Sequence, residues 1–182
     1  MGHGWTRSAA NKPWAYPFCR RSQRLNAFSR TIRSILLVED DSNYALLVQL
    51  AFESAGVTNP VRAVSDGETA VAYLSGLAPY QDRGRFPLPG LVIIDIKLTG
   101  QSGFDVLQWM RAHREFDRLP VVILTASTDP EHEVRAYQLG AKFYMHKPRR
   151  MQELVATARA LADLWLGVRM QRRRTAGSGD SA

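Results

Sequence analysis

Between residues 34 and 166 the chain alternates short, unbroken apolar runs with longer stretches whose apolar residues recur every three or four positions. Ser34–Glu39 (SILLVE), Pro60–Val64, Leu91–Asp95, Pro120–Thr125 (PVVILT) and Ala141–His146 read as strands. Runs this short and this apolar fit strands buried on both faces. The stretches between them read as helices. The first starts at Ser42 and runs to about Ala55, with Leu46, Leu47, Leu50 and Ala51 on its apolar face; Gly56 and Asn59-Pro60 end it. Asp66 caps a second that runs to about Ser75, a third spans Gly103 to about His113, and a fourth spans Pro130–Leu139 and stops at Gly140. The last runs from Met151 to about Trp165, with Met151, Leu154, Val155, Ala158, Leu161, Ala162 and Trp165 at helical spacing. Gly76 to Gly90 is a long loop containing Pro79, Gly84, Pro87 and Pro89.

Five strand–helix units in succession predict an α/β fold, a parallel sheet with helices on both faces. Such a sheet places functional residues just past the carboxyl ends of its strands. Four of the five ends carry chemistry. Glu39-Asp40 close the first strand, Asp95 the third, Thr125 the fourth, and Lys147-Pro148 the fifth. The sheet would gather them on one edge. Three carboxylates brought together repel, and a hard divalent cation with oxygen ligands, Mg²⁺, relieves that. Lys147 adds a positive charge and Thr125 a hydroxyl donor. A carboxylate in that company is a good phosphoryl acceptor.

Composition changes the picture only at the ends. The 182 residues suffice for one domain with a core, and the net charge is +7. Residues 1–33 hold seven basic residues and no acid, and residues 167–182 carry +3, so the body is mildly acidic at −3. The high isoelectric point is therefore weak support for a nucleic-acid-binding fold. Both ends read as disordered basic tails, with Arg172–Arg174 as a solvated run. Cys19 is the only cysteine, so the chain forms no internal disulfide. No apolar run approaches the roughly 18 residues of a membrane span, and no secretory h-region is present. These features predict a cytoplasmic protein.

Taken together, VEDD at Val38–Asp41, Asp95 within LVIIDIKLTGQSG, LTAS at Leu124–Ser127 and KP at Lys147-Pro148 resemble the receiver domains of two-component response regulators. The resemblance covers residues 34–166, and the four motifs fall in order on the expected strands. It implies a flavodoxin-like (βα)5 fold with strand order 2-1-3-4-5. It also implies roles. Asp95 is the phosphoryl acceptor; Glu39, Asp40 and Asp95 hold Mg²⁺ with the backbone carbonyl of Lys97; Thr125 and Lys147 contact the phosphoryl oxygens. Tyr144 matches the switch aromatic, and Lys147-Pro148 matches a peptide bond that is typically cis. Phosphorylation would draw Thr125 toward the new oxygens, let Tyr144 turn inward and alter the face made by the fourth helix, fifth strand and fifth helix. The implied partner is a sensor histidine kinase. The long loop and the closing DLWL at Asp163–Leu166 are similar to the single-domain regulators that partner phytochrome-type kinases. Trp165, Leu166 and Val168 extend the last helix's apolar spacing past what the sheet needs, which predicts a two-fold dimer through that same face.

Two positions depart from the family. Thr99 stands where a proline is usual and is expected to loosen the turn without touching the chemistry. Lys97 stands where Asn or Met is common. Lys97 also bears on a rival function, a haloacid-dehalogenase-like phosphatase, which needs a second Asp two residues after its nucleophile. A regulator binding nucleic acid or acidic lipid through its tails is the other alternative. Only about 16 residues remain after the receiver, so no helix-turn-helix is expected to follow it. His113, His132 and His146 lack metal-ligand spacing and read as surface residues.

Overall fold

The computed structural model describes residues 33–165. Five strands, β1 (Ile35–Val38), β2 (Val61–Val64), β3 (Leu91–Ile94), β4 (Val121–Thr125) and β5 (Phe143–His146), form one sheet in the order β2-β1-β3-β4-β5, every pair parallel. The helices are α1 (Ser42–Ser54), α2 (Gly67–Ser75), α3 (Gly103–Ala112), α4 (Pro130–Gln138) and α5 (Met151–Trp165), with a short 3-10 turn at Arg114–Phe116. The expected α/β fold and strand order are those observed. Among the described residues no helix is long and apolar enough to cross a membrane.

The two-residue period of each strand divides the core. Leu36 and Val38 point to one side of the sheet, where they meet Val71 and Leu74 of α2, Phe104 and Leu107 of α3 and Ala136 of α4. Ile35 and Leu37 point to the other, where they meet Val48 and Phe52 of α1 and Leu154 and Leu161 of α5. β1, β3 and β4 are buried throughout, which is why they read as unbroken apolar runs.

The apolar face expected for α1 is largely the wrong one. Leu46, Leu47 and Leu50 are 54%, 44% and 41% exposed, while Ala45, Val48, Ala51 and Phe52 are buried. Alanines on both α1 and α5, including Ala158 and Ala162, line the shared core and let the helices approach closely. A helix that is apolar most of the way round does not reveal its phase from sequence. Its cap is Asp41, with the carboxylate accepting from the backbone N–H groups of Asn43 and Tyr44 at 2.9 and 3.2 Å. The Asp66 cap of α2 is as expected.

The loop from Gly76 to Gly90 is tied down by Arg83. Its guanidinium donates to the carbonyls of Tyr73 and Leu74 at 2.7 and 2.6 Å, and to that of Phe86 at 3.3 Å. Both carbonyls of α2 lie in its last turn, where that of Tyr73 also accepts from the Gly76 N–H at 3.2 Å, so one side chain ties the end of the helix to the loop. Tyr73, Tyr80 and Phe86 pack as an aromatic cluster beside it, with neighbouring ring centroids 5.1–6.2 Å apart. Replacing Arg83 with Met keeps bulk and removes all three bonds. Urea unfolding should show a loss of about 2 kcal/mol; an unchanged midpoint would mean that water serves those carbonyls equally well.

Candidate functional site

The parallel register lines up the strand ends. The Glu39 N–H donates to the Val64 carbonyl, the Asp95 N–H to the Val38 carbonyl, and the Lys147 N–H to the Thr125 carbonyl, each within 3.0 Å. Each of Glu39, Asp95 and Lys147 is one residue past the end of its strand, on β1, β3 and β5, so all three start from one edge of the sheet, and the Lys147 side chain reaches past the end of β4 to the two carboxylates. The Lys147 ammonium lies 2.7 Å from both Glu39 carboxylate oxygens and 2.7 Å from Asp95 Oδ2. Glu39 and Asp95 are almost wholly buried, at 3% and 4% exposure. Two buried carboxylates beside each other are tenable because one cation is shared between them. Below that cation lies the Tyr44 ring, its centroid 4.4 Å from the nitrogen.

The charges respond to this crowding. Burial raises the pKa of Glu39, and the bond from Lys147 offsets only part of that. Burial pulls Lys147 down, but its hydrogen bonds to Asp95 and Glu39 outweigh it and hold the ammonium above its ordinary value. Burial also pushes the Tyr44 hydroxyl upward, with the charges of Glu39 and Asp95 adding to it. That hydroxyl oxygen is buried without a hydrogen-bond partner among the described residues.

Asp40 stands on the open side. One oxygen from each of Glu39, Asp40 and Asp95 lies within 4.8 Å of the others. Asp40 Oδ2 accepts from both the Thr99 hydroxyl, at 2.6 Å, and the Thr99 N–H, at 3.0 Å. The hydroxyl bond is the main reason the Asp40 carboxyl titrates below its ordinary value. Thr99 thus touches the site directly, contrary to the expectation that it only loosens a turn. The Lys97 N–H donates to Asp95 Oδ1 at 3.1 Å, while the Lys97 side chain is exposed. Gly103 opens α3 against this loop, and any Cβ there would run into the Asp95 carbonyl oxygen.

Thr125 is fully buried, and its hydroxyl oxygen accepts from the Ser127 N–H at 3.2 Å. The Tyr144 hydroxyl reaches the Ser127 carbonyl at 3.4 Å. His132, read from sequence as a surface residue, is half-buried, with Nδ1 2.8 Å from Ser127 Oγ and its ring edge-on to Phe104. His113 is half-buried too and stacks on Trp109. Only contacts formed by folding distinguish these histidines from solvated ones. Lys147-Pro148 is not cis; among the described residues the cis peptide is Ala78-Pro79.

Residues 35–159 match the family model described as the response regulator receiver domain. The chain belongs to that family. The receiver is 34% identical, over 133 residues, to the probable methanogenesis regulatory protein FilR2 of Methanothrix harundinacea, with 73% of this chain and 83% of that protein covered. It superposes on the phosphorylated cyanobacterial phytochrome response regulator RcpA with a TM-score of 0.67 and 28% identity, covering 74% of this chain and 94% of that one. It also superposes on the response regulator RPA3017 in red light signaling of R. palustris, with a TM-score of 0.69 and 29% identity, covering 74% and 94%. The long loop and strand-end motifs therefore belong to a receiver similar to single-domain regulators of phytochrome signalling.

The shared ammonium makes a stability prediction. Lys147→Met leaves two buried carboxylates without a counter-ion and should lower the free energy of unfolding by roughly 3 kcal/mol at neutral pH in EDTA. Adding Asp95→Asn should recover much of it. Because folding raises the Lys147 pKa, the wild-type contribution is full below its ordinary value of 10.5 and fades as pH climbs through the folded value. Urea titrations of the three proteins across alkaline pH check both points.

Proposed function

We propose that this receiver is a protein switch that accepts a phosphoryl group on Asp95 from a sensor histidine kinase. The observation that carries this is the Lys147 ammonium held 2.7 Å from both Asp95 and Glu39, with the Asp40 carboxylate beside them. A carboxylate oxygen of Asp95 attacks the phosphorus of a phosphohistidine. The O–P bond forms as the P–N bond breaks, the electron pair stays on that ring nitrogen, and the ring, already protonated on its other nitrogen, leaves as the neutral histidine side chain. Lys147 and the Thr125 hydroxyl then bond the phosphoryl oxygens. Thr125 can donate, since its present contact uses it as an acceptor.

Three carboxylates against one ammonium leave the pocket short of positive charge, and every donor is a hard oxygen. That donor set fits Mg²⁺ held by Glu39, Asp40 and Asp95, with the Lys97 backbone carbonyl as a further ligand. When bound, Mg²⁺ supplies charge to neutralise the transferring group. The domain spans residues 34–166, with the segments at 1–33 and 167–182 as basic tails outside it. The protein acts in the cytoplasm, and a phytochrome-type kinase is the donor that the similarity to RcpA, a phytochrome response regulator, and to RPA3017, a regulator in red light signaling, favours.

A phytochrome-type kinase and, independently, acetyl phosphate with Mg²⁺ should each label Asp95 alone. Mass spectrometry locates the phosphate. Label that persists undiminished in Asp95→Asn, or in EDTA, sinks the assignment.

The output is a change at the face of α4, β5 and α5. Tyr144 links this face to the site through the Ser127 carbonyl. Val134, Tyr137 and Phe143 stand 57%, 46% and 43% exposed there, and Trp165 packs edge-on against Phe143 with centroids 5.3 Å apart. Leu166 and Val168 lie outside the described residues. A second copy covering these residues makes the active form a two-fold dimer. Light scattering should show beryllofluoride shifting the chain toward a dimer and Tyr137→Asp opposing that shift. A monomer in both states at about tens of micromolar, a usual range for transient association, refutes the dimer.

A further inference from the structure

We infer that Thr99 is a positioning residue for Asp40 and sets the Mg²⁺ affinity of the site, an inference that rests on the metal reading above. Asp40 is the exposed member of the acidic trio. Among the described residues no lysine or arginine pairs with it; Lys147 is committed to Glu39 and Asp95. An exposed aspartate with no partner samples several rotamers, and a cation must select one of them. Thr99 removes that freedom. Its hydroxyl and its N–H converge on a single oxygen, Oδ2, at 2.6 and 3.0 Å, and leave Oδ1 free of both.

The turn that presents Thr99 is itself fixed. Gly100 follows it with φ +85°, and Lys97 and Ser102 bridge across the loop. Thr99 therefore joins the loop after β3 to the loop after β1, across 59 residues of chain. Proline, the usual residue at this position, has neither an N–H nor a hydroxyl and would lose both bonds. Hydrogen bonds from outside a metal's ligand set orient the ligands and strengthen binding, and their loss weakens it.

The test is calorimetric titration of Mg²⁺ into the unphosphorylated full chain, with melting curves in EDTA to establish folding. Thr99→Val keeps the backbone donor and loses the hydroxyl, so Kd should rise about threefold. Thr99→Pro loses both donors, so Kd should rise about tenfold. Thr99→Ser keeps both and should match the wild type. Equal or tighter binding by the Val and Pro variants overturns the inference and leaves the metal reading standing; tighter binding would mean that Thr99 competes with the cation for Asp40. A wild type that binds no Mg²⁺ takes down the metal reading and the inference with it. If Thr99→Pro does not fold, the Val and Ser pair decides.

Discussion

One ammonium between two buried carboxylates is the constraint on which the rest of the site depends. Lys147 reaches Glu39 and Asp95 only because β5, β3 and β1 lie in the same sheet with their carboxyl ends on one edge. A shift of any of these strands by one residue would turn its terminal side chain to the opposite face. In β1 and β3 each side chain has its own place in one of two packed cores, so a slip would cost shape fit rather than polarity, while β5 is only half-buried. The register assembles the charges. Energetically the dependence runs the other way too. Without the cation, Glu39 and Asp95 would each carry a desolvated charge beside another of the same sign.

Most of this was legible in the sequence because the signals are strong and local. Unbroken runs such as LLV and VVIL fit a strand covered on both sides, and Asp66 and Gly140 mark helix ends by their own backbone chemistry. Two things were not legible, for different reasons. The phase of α1 depends on which apolar stripe meets α5, and Leu46, Leu47 and Leu50 compete on equal terms with Ala45, Val48 and Phe52 until the partner helix is placed. Small residues win there because they allow close approach, which hydrophobicity alone does not rank. Contacts between loops were hidden as well. Nothing in the spacing of Thr99 and Asp40, or of Ser127 and His132, announces a hydrogen bond, since each depends on how a turn projects a side chain.

The same geometry explains how a change of charge at Asp95 reaches a surface. Ser127 is the junction. Its N–H holds the Thr125 hydroxyl, its carbonyl accepts from Tyr144, and its own hydroxyl meets His132 of α4. Thr125 cannot turn toward a phosphoryl group and keep its bond from Ser127 unaltered. On the function proposed above, a rearrangement there would bear on the Tyr144 contact on β5 and the His132 contact on α4 together. Tyr144 is further tied to α4 by its N–H, which donates to the Tyr137 hydroxyl at 3.3 Å. The Tyr137 ring is 46% exposed, so a bond formed inside the switch ends on a side chain that a partner can touch. The resting state is therefore held by a few neutral hydrogen bonds of modest net strength, each worth about 1 kcal/mol. An added phosphoryl group brings close to two negative charges beside Lys147 and Thr125. On the function proposed above, charge-assisted bonds to it would outweigh the neutral ones they replace, and that inequality would give the switch its direction.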